Sequence, residues 1–423
     1  MVVQSKKPST SVKSVPSKTA KTTTKAAPKS AAKPAVKTAS ATKAAPQTAP
    51  KTTAKPAAKT TATKGNLANV SMLLEKYSNA YGVSGDEHRI YKMAKDDLNG
   101  CVDEIQEDPL GNLIAVRRGS KTGPTIMLAA HMDEIGLMVK RIDENGFLKF
   151  AKIGGWFDQT LLNQRVIVHG SKGDLYGVIG SKPPHVMTAE DAKHPVKHTD
   201  MFIDIGAKST EDAAGMGVEA GTYVSTDREF KKLANDRVTS KAFDNRAGLV
   251  IMIEAMRRLK GKKIEATVCA VGTVQEEVGL KGAKTSAYAV DADVAIAIDT
   301  TIPGDHPGIS KNDSALEIGK GPVVTIADAS GRGLIAHPTV VKWIRESAKS
   351  KKIDVQLGVG EGGTTDATSI HLTKEGIPTG TISIATRYIH SPVEVLDLND
   401  IEACVTLVVT AAENAHKYFS KKN

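Results

Sequence analysis

Apolar runs of strand length recur along this chain, and each closes on a carboxylate or a histidine. TIMLAA (Thr125–Ala130) runs into His131 and Asp133, EATVCAVGT into Glu276 and Glu277, DVAIAID ends on Asp299, and TGTISIA leads to His390. Around these runs lie helical patterns at Ser71–Tyr81, Asp86–Leu98, Ala242–Lys260, PTVVKWIRESAKS and Asn399–Tyr418. Uninterrupted apolar strands alternating with helices predict an α/β fold, with a mostly parallel sheet sandwiched by helices. Ligands bind at the carboxyl ends of such strands. The polar residues that close the runs are therefore the candidate functional ones.

One stretch breaks the alternation. Residues 135–239 are rich in Gly, Val and Ile, in short runs such as RVIVHG, LYGVIG and TYVSTD. They predict an all-β domain inserted between the two parts of the core, 66–134 and 240–423. Residues 1–65 differ again: 14 Lys, no acidic residue, and otherwise mainly Ala, Thr, Pro and Ser. Such a segment cannot bury enough apolar surface to offset its ordering entropy, so it is expected to be a disordered tail. It also holds the whole of the +10 net charge, because without it 57 − 14 = 43 basic residues face 47 acidic ones. A basic tail can be a spacer, a weak tether to nucleic acid or another polyanion, or a targeting segment, although the absence of Arg argues against a mitochondrial one. No apolar stretch reaches the roughly 18–20 residues of a membrane span. The opening residues lack the apolar core of a secretory signal. Three scattered cysteines, Cys101, Cys269 and Cys404, fit a reducing compartment, so a cytoplasmic location is expected.

Each candidate residue admits a structural and a chemical reading. His131 suits a metal ligand, and Asp133, two residues on, suits the carboxylate that accepts the other imidazole N–H. Asp244 stands where a helix starts; it can cap that helix, or bridge two cations through its several lone pairs. Glu276 and Glu277 are either a solvated acidic turn or a ligand beside a free proton shuttle. Asp299 is a cap or a ligand, and His390 a structural residue or a ligand. His169 and His185 in the insertion read as structural, and Asp366 in GGTTDATS could meet a substrate amine. Imidazole and carboxylate donors without a placed thiolate favour zinc, cobalt or manganese. No GxxxxGK[ST] loop and no GxSxG elbow is present, which leaves out those nucleotide-binding and serine-hydrolase classes.

The segments AHMDEIGLMV, GSKPPHV, KAFDNRAG, VGTVQEEVGLKGA, AIDTT and GGTTDATSIHLTKEGIPTGTISIATRYIHSPVEV resemble, in order and spacing, the M42 metallopeptidases, the tetrahedral, glutamyl or deblocking aminopeptidases. The resemblance spans about 66–418. It implies two divalent metal ions, zinc or cobalt, with Asp244 bridging them. It further implies His131 and Asp299 at one ion, Glu277 and His390 at the other, Glu276 as general base, and Asp133 orienting His131. It also implies peptide substrates, and dimers, formed through the β insertion, that build a dodecamer. Alternatives on the same fold are a deacylase, carboxypeptidase or glycanase; one outside it is a polyanion-binding protein acting through its tail.

Overall fold

The computed structural model describes residues 63–422, and the expectations for the tail fall almost entirely outside them. Helix α1 (Lys64–Asn79) begins two residues before the expected start of the folded chain, because Thr63 caps it by accepting from the Asn66 N–H. Helix α2 (His88–Leu98) and strands β1 (Glu104–Glu107), β2 (Leu113–Arg117) and β3 (Thr125–His131) follow. The chain then enters β4 (Gly136–Ile142), β5 (Leu148–Ile153), β6 (Arg165–Gly170), β7 (Gly173–Gly180), β8 (Phe202–Asp204), the short α3 (Thr210–Gly215) and β9 (Tyr223–Thr226). It returns through β10 (Lys231–Lys232) and β11 (Arg237–Ser240) to α4 (Phe243–Leu259), β12 (Thr267–Thr273), α5 (Lys281–Val290) and β13 (Val294–Thr301). Strand β14 (Val323–Ala327), α6 (Pro338–Ser350), β15 (Gln356–Val359), α7 (Ala367–Ile370), β16 (Thr379–Ala385), β17 (Glu394–Asp397) and α8 (Leu398–Asn414) complete it.

Eight strands form one sheet in the order β1-β2-β12-β3-β13-β16-β14-β15. The middle four are parallel. Antiparallel pairing is confined to the flanks, at β1–β2, β2–β12 and β14–β16. Alternate side chains of the central strands face opposite layers. Ile126, Leu128 and Ala130 join the core under α1, α4 and α8, whereas Met127 and Ala129 face α5 and α7. Burial on both faces is what an uninterrupted apolar strand requires, and TIMLAA and TGTISIA have it.

The β insertion closes on itself as a barrel in the order β4-β5-β8-β7-β6-β9, with its own core around Leu137, Phe150, Trp156, Val166 and Ile203. The barrel ends at Thr226, earlier than the expected boundary of 239. Strand β11 leaves it to pair with β17, the strand that follows His390. That pairing brings the approach to Asp244 alongside the segment after His390. Among the described residues no helix is long and apolar enough to cross a membrane, and all three cysteines are free.

Candidate active site

His131 is the last residue of β3, and in the parallel register it stands beside Thr273 at the end of β12. Asp299 lies near the end of β13, the next strand. Glu276 and Glu277 occupy the turn after β12, and His390 the loop after β16. Adjacent parallel strands thus deliver their closing residues to one edge. The N-terminus of α4 brings in Asp244. That residue does not cap the helix. Asp244 and Asn245 have non-helical dihedral angles, and the Asn245 side chain is the cap, accepting from the Gly248 N–H at 2.9 Å and donating to the Ile298 carbonyl at 2.8 Å. The carboxylate of Asp244 is left for other work.

All five expected ligands converge. His131 Nε2 lies 3.3 Å from Asp244 Oδ1, 3.8 Å from Asp299 Oδ1 and 3.9 Å from Glu276 Oε2. His390 Nε2 lies 3.4 Å from Asp244 Oδ2 and 3.2 Å from Glu277 Oε2. Asp244 therefore offers one oxygen to each imidazole. Two groups of donor atoms fall within 4.8 Å of one another: His131, Glu276 and Asp299, and His131, Asp244 and Glu277. Asp133 is fully buried behind them. Its backbone carbonyl lies 3.1 Å and its carboxylate 3.4 Å from His131 Nδ1, and it accepts from the Ser84 hydroxyl at 2.7 Å. The other end of the cluster is held from the barrel, where the Gly155 carbonyl lies 3.1 Å from His390 Nδ1.

The electrostatics are those of a largely buried, carboxylate-rich pocket that His390 opens to the surface. Burial pushes the Glu276 and Asp299 carboxyls well above their ordinary values, with neighbouring carboxylates adding to the rise. Burial likewise raises Glu277. For the imidazoles burial acts downward, but Glu276, Asp133 and Asp244 more than reverse it at His131, and Asp244 with Glu277 carry His390 up to about 11. Asp244 moves the opposite way, because its two imidazole partners outweigh its burial. Buried carboxylates in this number are costly without cations. The nearest buried cations are committed elsewhere: Lys241 to Glu134, and Arg246 to Glu134 and backbone carbonyls. Glu277 Oε1 is buried with no hydrogen-bond partner. An orphaned carboxylate oxygen among imidazole and carboxylate donors fits a divalent cation, whose charge returns such groups to their ionised forms.

Other residues of the site gave little signal in sequence. Glu394 is buried and accepts from the Asp244 N–H at 2.9 Å and the His390 N–H at 3.1 Å, tying two expected ligands together. Its one clue is its position four residues after His390. Lys241, three residues before Asp244, is fully buried against Glu134 at 2.8 Å. Asp366 is buried and accepts from the Thr273 hydroxyl at 2.5 Å, which places it behind the end of β12. His169 is bound by Asp174 and Ser225 within the barrel, and His185 is exposed on a short helical turn; neither joins the cluster.

The profile of the M42 glutamyl aminopeptidases matches residues 111–407. The chain belongs to this family. It is 43% identical over 340 residues to a putative aminopeptidase of Acetivibrio thermocellus, covering 80% of this chain and 97% of that protein. Its fold superposes with a TM-score of 0.80 on an aminopeptidase from the archaeon Desulfurococcus kamchatkensis, at 44% identity over 83% of this chain and 97% of the other. The Pyrococcus horikoshii TET1 peptidase, which can assemble into a tetrahedron or a large octahedral shell, superposes with a TM-score of 0.73 at 35% identity, covering 81% and 99%. The protein is thus an aminopeptidase of a metal-dependent family, and its converging histidines and carboxylates are the donors such chemistry needs.

Proposed function

We propose that the chain hydrolyses N-terminal residues from peptides at a two-metal centre bridged by Asp244. The observation that carries this reading is the division of the Asp244 carboxylate, one oxygen toward His131 and the other toward His390. His131 and Asp299 would hold one ion, and Glu277 and His390 the other. Bound divalent ions supply Lewis-acid polarisation of the scissile carbonyl and lower the pKa of water. Zinc or cobalt suits this donor set.

Glu276 is the general base in this reading. It is the carboxylate within reach of His131 Nε2, the nitrogen facing the cluster, that the two ligand sets leave over, and burial favours its protonated form once it has accepted a proton. It takes the proton of the attacking water and returns it to the leaving amine. Asp133 keeps His131 in the tautomer that presents Nε2 to the centre. The behaviour of the TET1 relative supports a homo-oligomer, dimers of which would build a larger shell, and the free cysteines fit a cytoplasmic location.

Glu276→Gln is expected to keep its metal and lose turnover on a panel of aminoacyl-p-nitroanilides; near-normal activity would remove Glu276 from its role. Asp244→Asn is expected to lose metal by elemental analysis, and an unchanged content would move the bridge elsewhere. Blocked peptides added to the panel distinguish an aminopeptidase from a deacylase, and light scattering gives the assembly size.

A further inference from the structure

The turn that carries Glu276 and Glu277 is held in an unusual way. Four consecutive backbone N–H groups each donate to a side-chain oxygen from another part of the chain. Val274 donates to Asn112 Oδ1 at 3.0 Å and Gln275 to Glu87 Oε1 at 3.0 Å, while Glu276 and Glu277 donate to the two oxygens of Asp133 at 3.1 and 3.2 Å. Gln275 has a φ of 55°, a left-handed conformation that a non-glycine residue keeps only when its surroundings hold it. Its side chain is not that hold, because among the described residues its hydrogen bond is to the Lys281 ammonium, at 3.2 Å on the exposed side of the turn. The hold on this residue's amide is Glu87.

Glu87 is itself fixed. It is 5% exposed, it stands just before α2, and the oxygen that takes the Gln275 amide also accepts from the Gly85 N–H at 2.8 Å. Gly85 has a φ of 95°, and any Cβ there would lie 2.6 Å from the Tyr223 hydroxyl of β9. The loop bearing Glu87 is therefore wedged between the barrel and the end of β3, where Ser84 donates to the same Asp133. One rigid loop reaches the catalytic turn twice, directly through Glu87 and indirectly through Ser84 and Asp133.

We propose that Glu87 is a positioning residue for the reaction: by holding the Gln275 amide it fixes the left-handed turn that aims the Glu276 carboxylate. The proposal rests on the reading of Glu276 as general base. Asp133 holds the amides of both Glu276 and Glu277, but Glu276 follows Gln275 directly and Glu277 sits one residue farther along, so loss of Glu87 acts on the Glu276 carboxylate more than on the metal ligands.

The test compares Glu87→Ala, Glu87→Gln and Glu87→Asp in the full-length, metal-loaded protein, on the aminoacyl-p-nitroanilide that the wild type cleaves best. Glu87→Ala is expected to lower kcat roughly 10–100-fold, with KM and metal content unchanged. Glu87→Gln keeps the accepting oxygen at the same reach and recovers most of kcat. Glu87→Asp is one methylene short and behaves as the alanine variant. Unchanged kcat in Glu87→Ala overturns the proposal, as does a glutamine variant no better than alanine, or a loss of activity that follows loss of metal. If Glu87→Ala does not fold, equal kcat values for the aspartate and glutamine variants overturn it. A failure of the base assignment looks different, since Glu276→Gln would then retain turnover whatever Glu87 does.

Discussion

Gly155 meets the candidate metal site from the barrel, and its replacement by alanine is a sharp test of how His390 is held. Its φ lies outside the left-handed region, so an alanine there bears no backbone strain. The added methyl group would stand 2.7 Å from His390 Nδ1 and 3.0 Å from Cε1, where ordinary contact begins at 3.4 Å. Something must yield by about 0.7 Å, the difference between 3.4 and 2.7. The barrel loop is the stiffer partner, because the next residue, Trp156, is buried and donates from Nε1 to the Gly136 carbonyl at 2.9 Å. The His390 side chain is 37% exposed and has room to turn. Turning breaks its contact with the Gly155 carbonyl and draws Nε2 away from Asp244 and Glu277. A displacement of this order at a reacting centre costs roughly 100-fold in kcat/KM. A ligand that loses its orienting partner weakens metal binding by roughly 10–100-fold. Steady-state kinetics and metal titration measure the two losses, and thermal melting of the metal-free protein should change by less than about 1 kcal/mol. Full metal stoichiometry with unchanged kcat in Gly155→Ala would show that His390 does not depend on the barrel.

Three further outcomes follow from the packing. Lys241→Met leaves Glu134 buried with only the Gly82 N–H at 3.1 Å and Arg246 at 3.4 Å, and is expected to destabilise the fold by about 3–5 kcal/mol in denaturant titration; a loss below about 1 kcal/mol would mean that Arg246 suffices. Asn245→Ala removes the α4 cap and the bond to Ile298, so a loss of about 1–2 kcal/mol is expected, and a neutral result would contradict the assignment of the cap. Burial, then the charge of Asp133, pushes the Glu87 carboxyl from 4.5 up to about 7. The stability its protonated form contributes is complete below pH about 4.5 and gone above about 7. Glu87→Gln should therefore be more stable than wild type at pH 8 and match it at pH 4, and parallel stability curves would refute the shift.

The sequence carried the parts of this structure that depend on local pattern. TIMLAA, TGTISIA and PTVVKWIRESAKS form the expected elements, because unbroken apolar runs and a Pro-initiated amphipathic segment leave few alternatives. The residues closing those runs meet because parallel neighbours end on the same edge. Long-range pairing is what local pattern does not encode. The antiparallel flanks of the sheet, and the departure of β11 from the barrel to β17, leave no mark in periodicity. Asp244 reads in sequence as a cap or a bridge, and only the folded chain shows that Asn245 takes the cap while two histidines face the Asp244 carboxylate. Glu87, Asn112 and Glu394 act by accepting backbone N–H groups, a role set by the reach of an acceptor oxygen in three dimensions and tied to no spacing in sequence.

The sheet order also sets a timetable. Strands β2 and β3 are consecutive in the chain, yet β12 lies between them, and it begins 136 residues after β3 ends. At about 5–20 residues per second of synthesis, that gap stands open for about 7–27 s. The barrel fills the interval with a unit whose strands all lie within it and whose core is its own. When β12 does arrive, His131, Asp244, Glu276 and Glu277 can assemble, but His390 is still 113 residues behind Glu277. A growing chain therefore carries no complete candidate centre until the segment after β16 has been made.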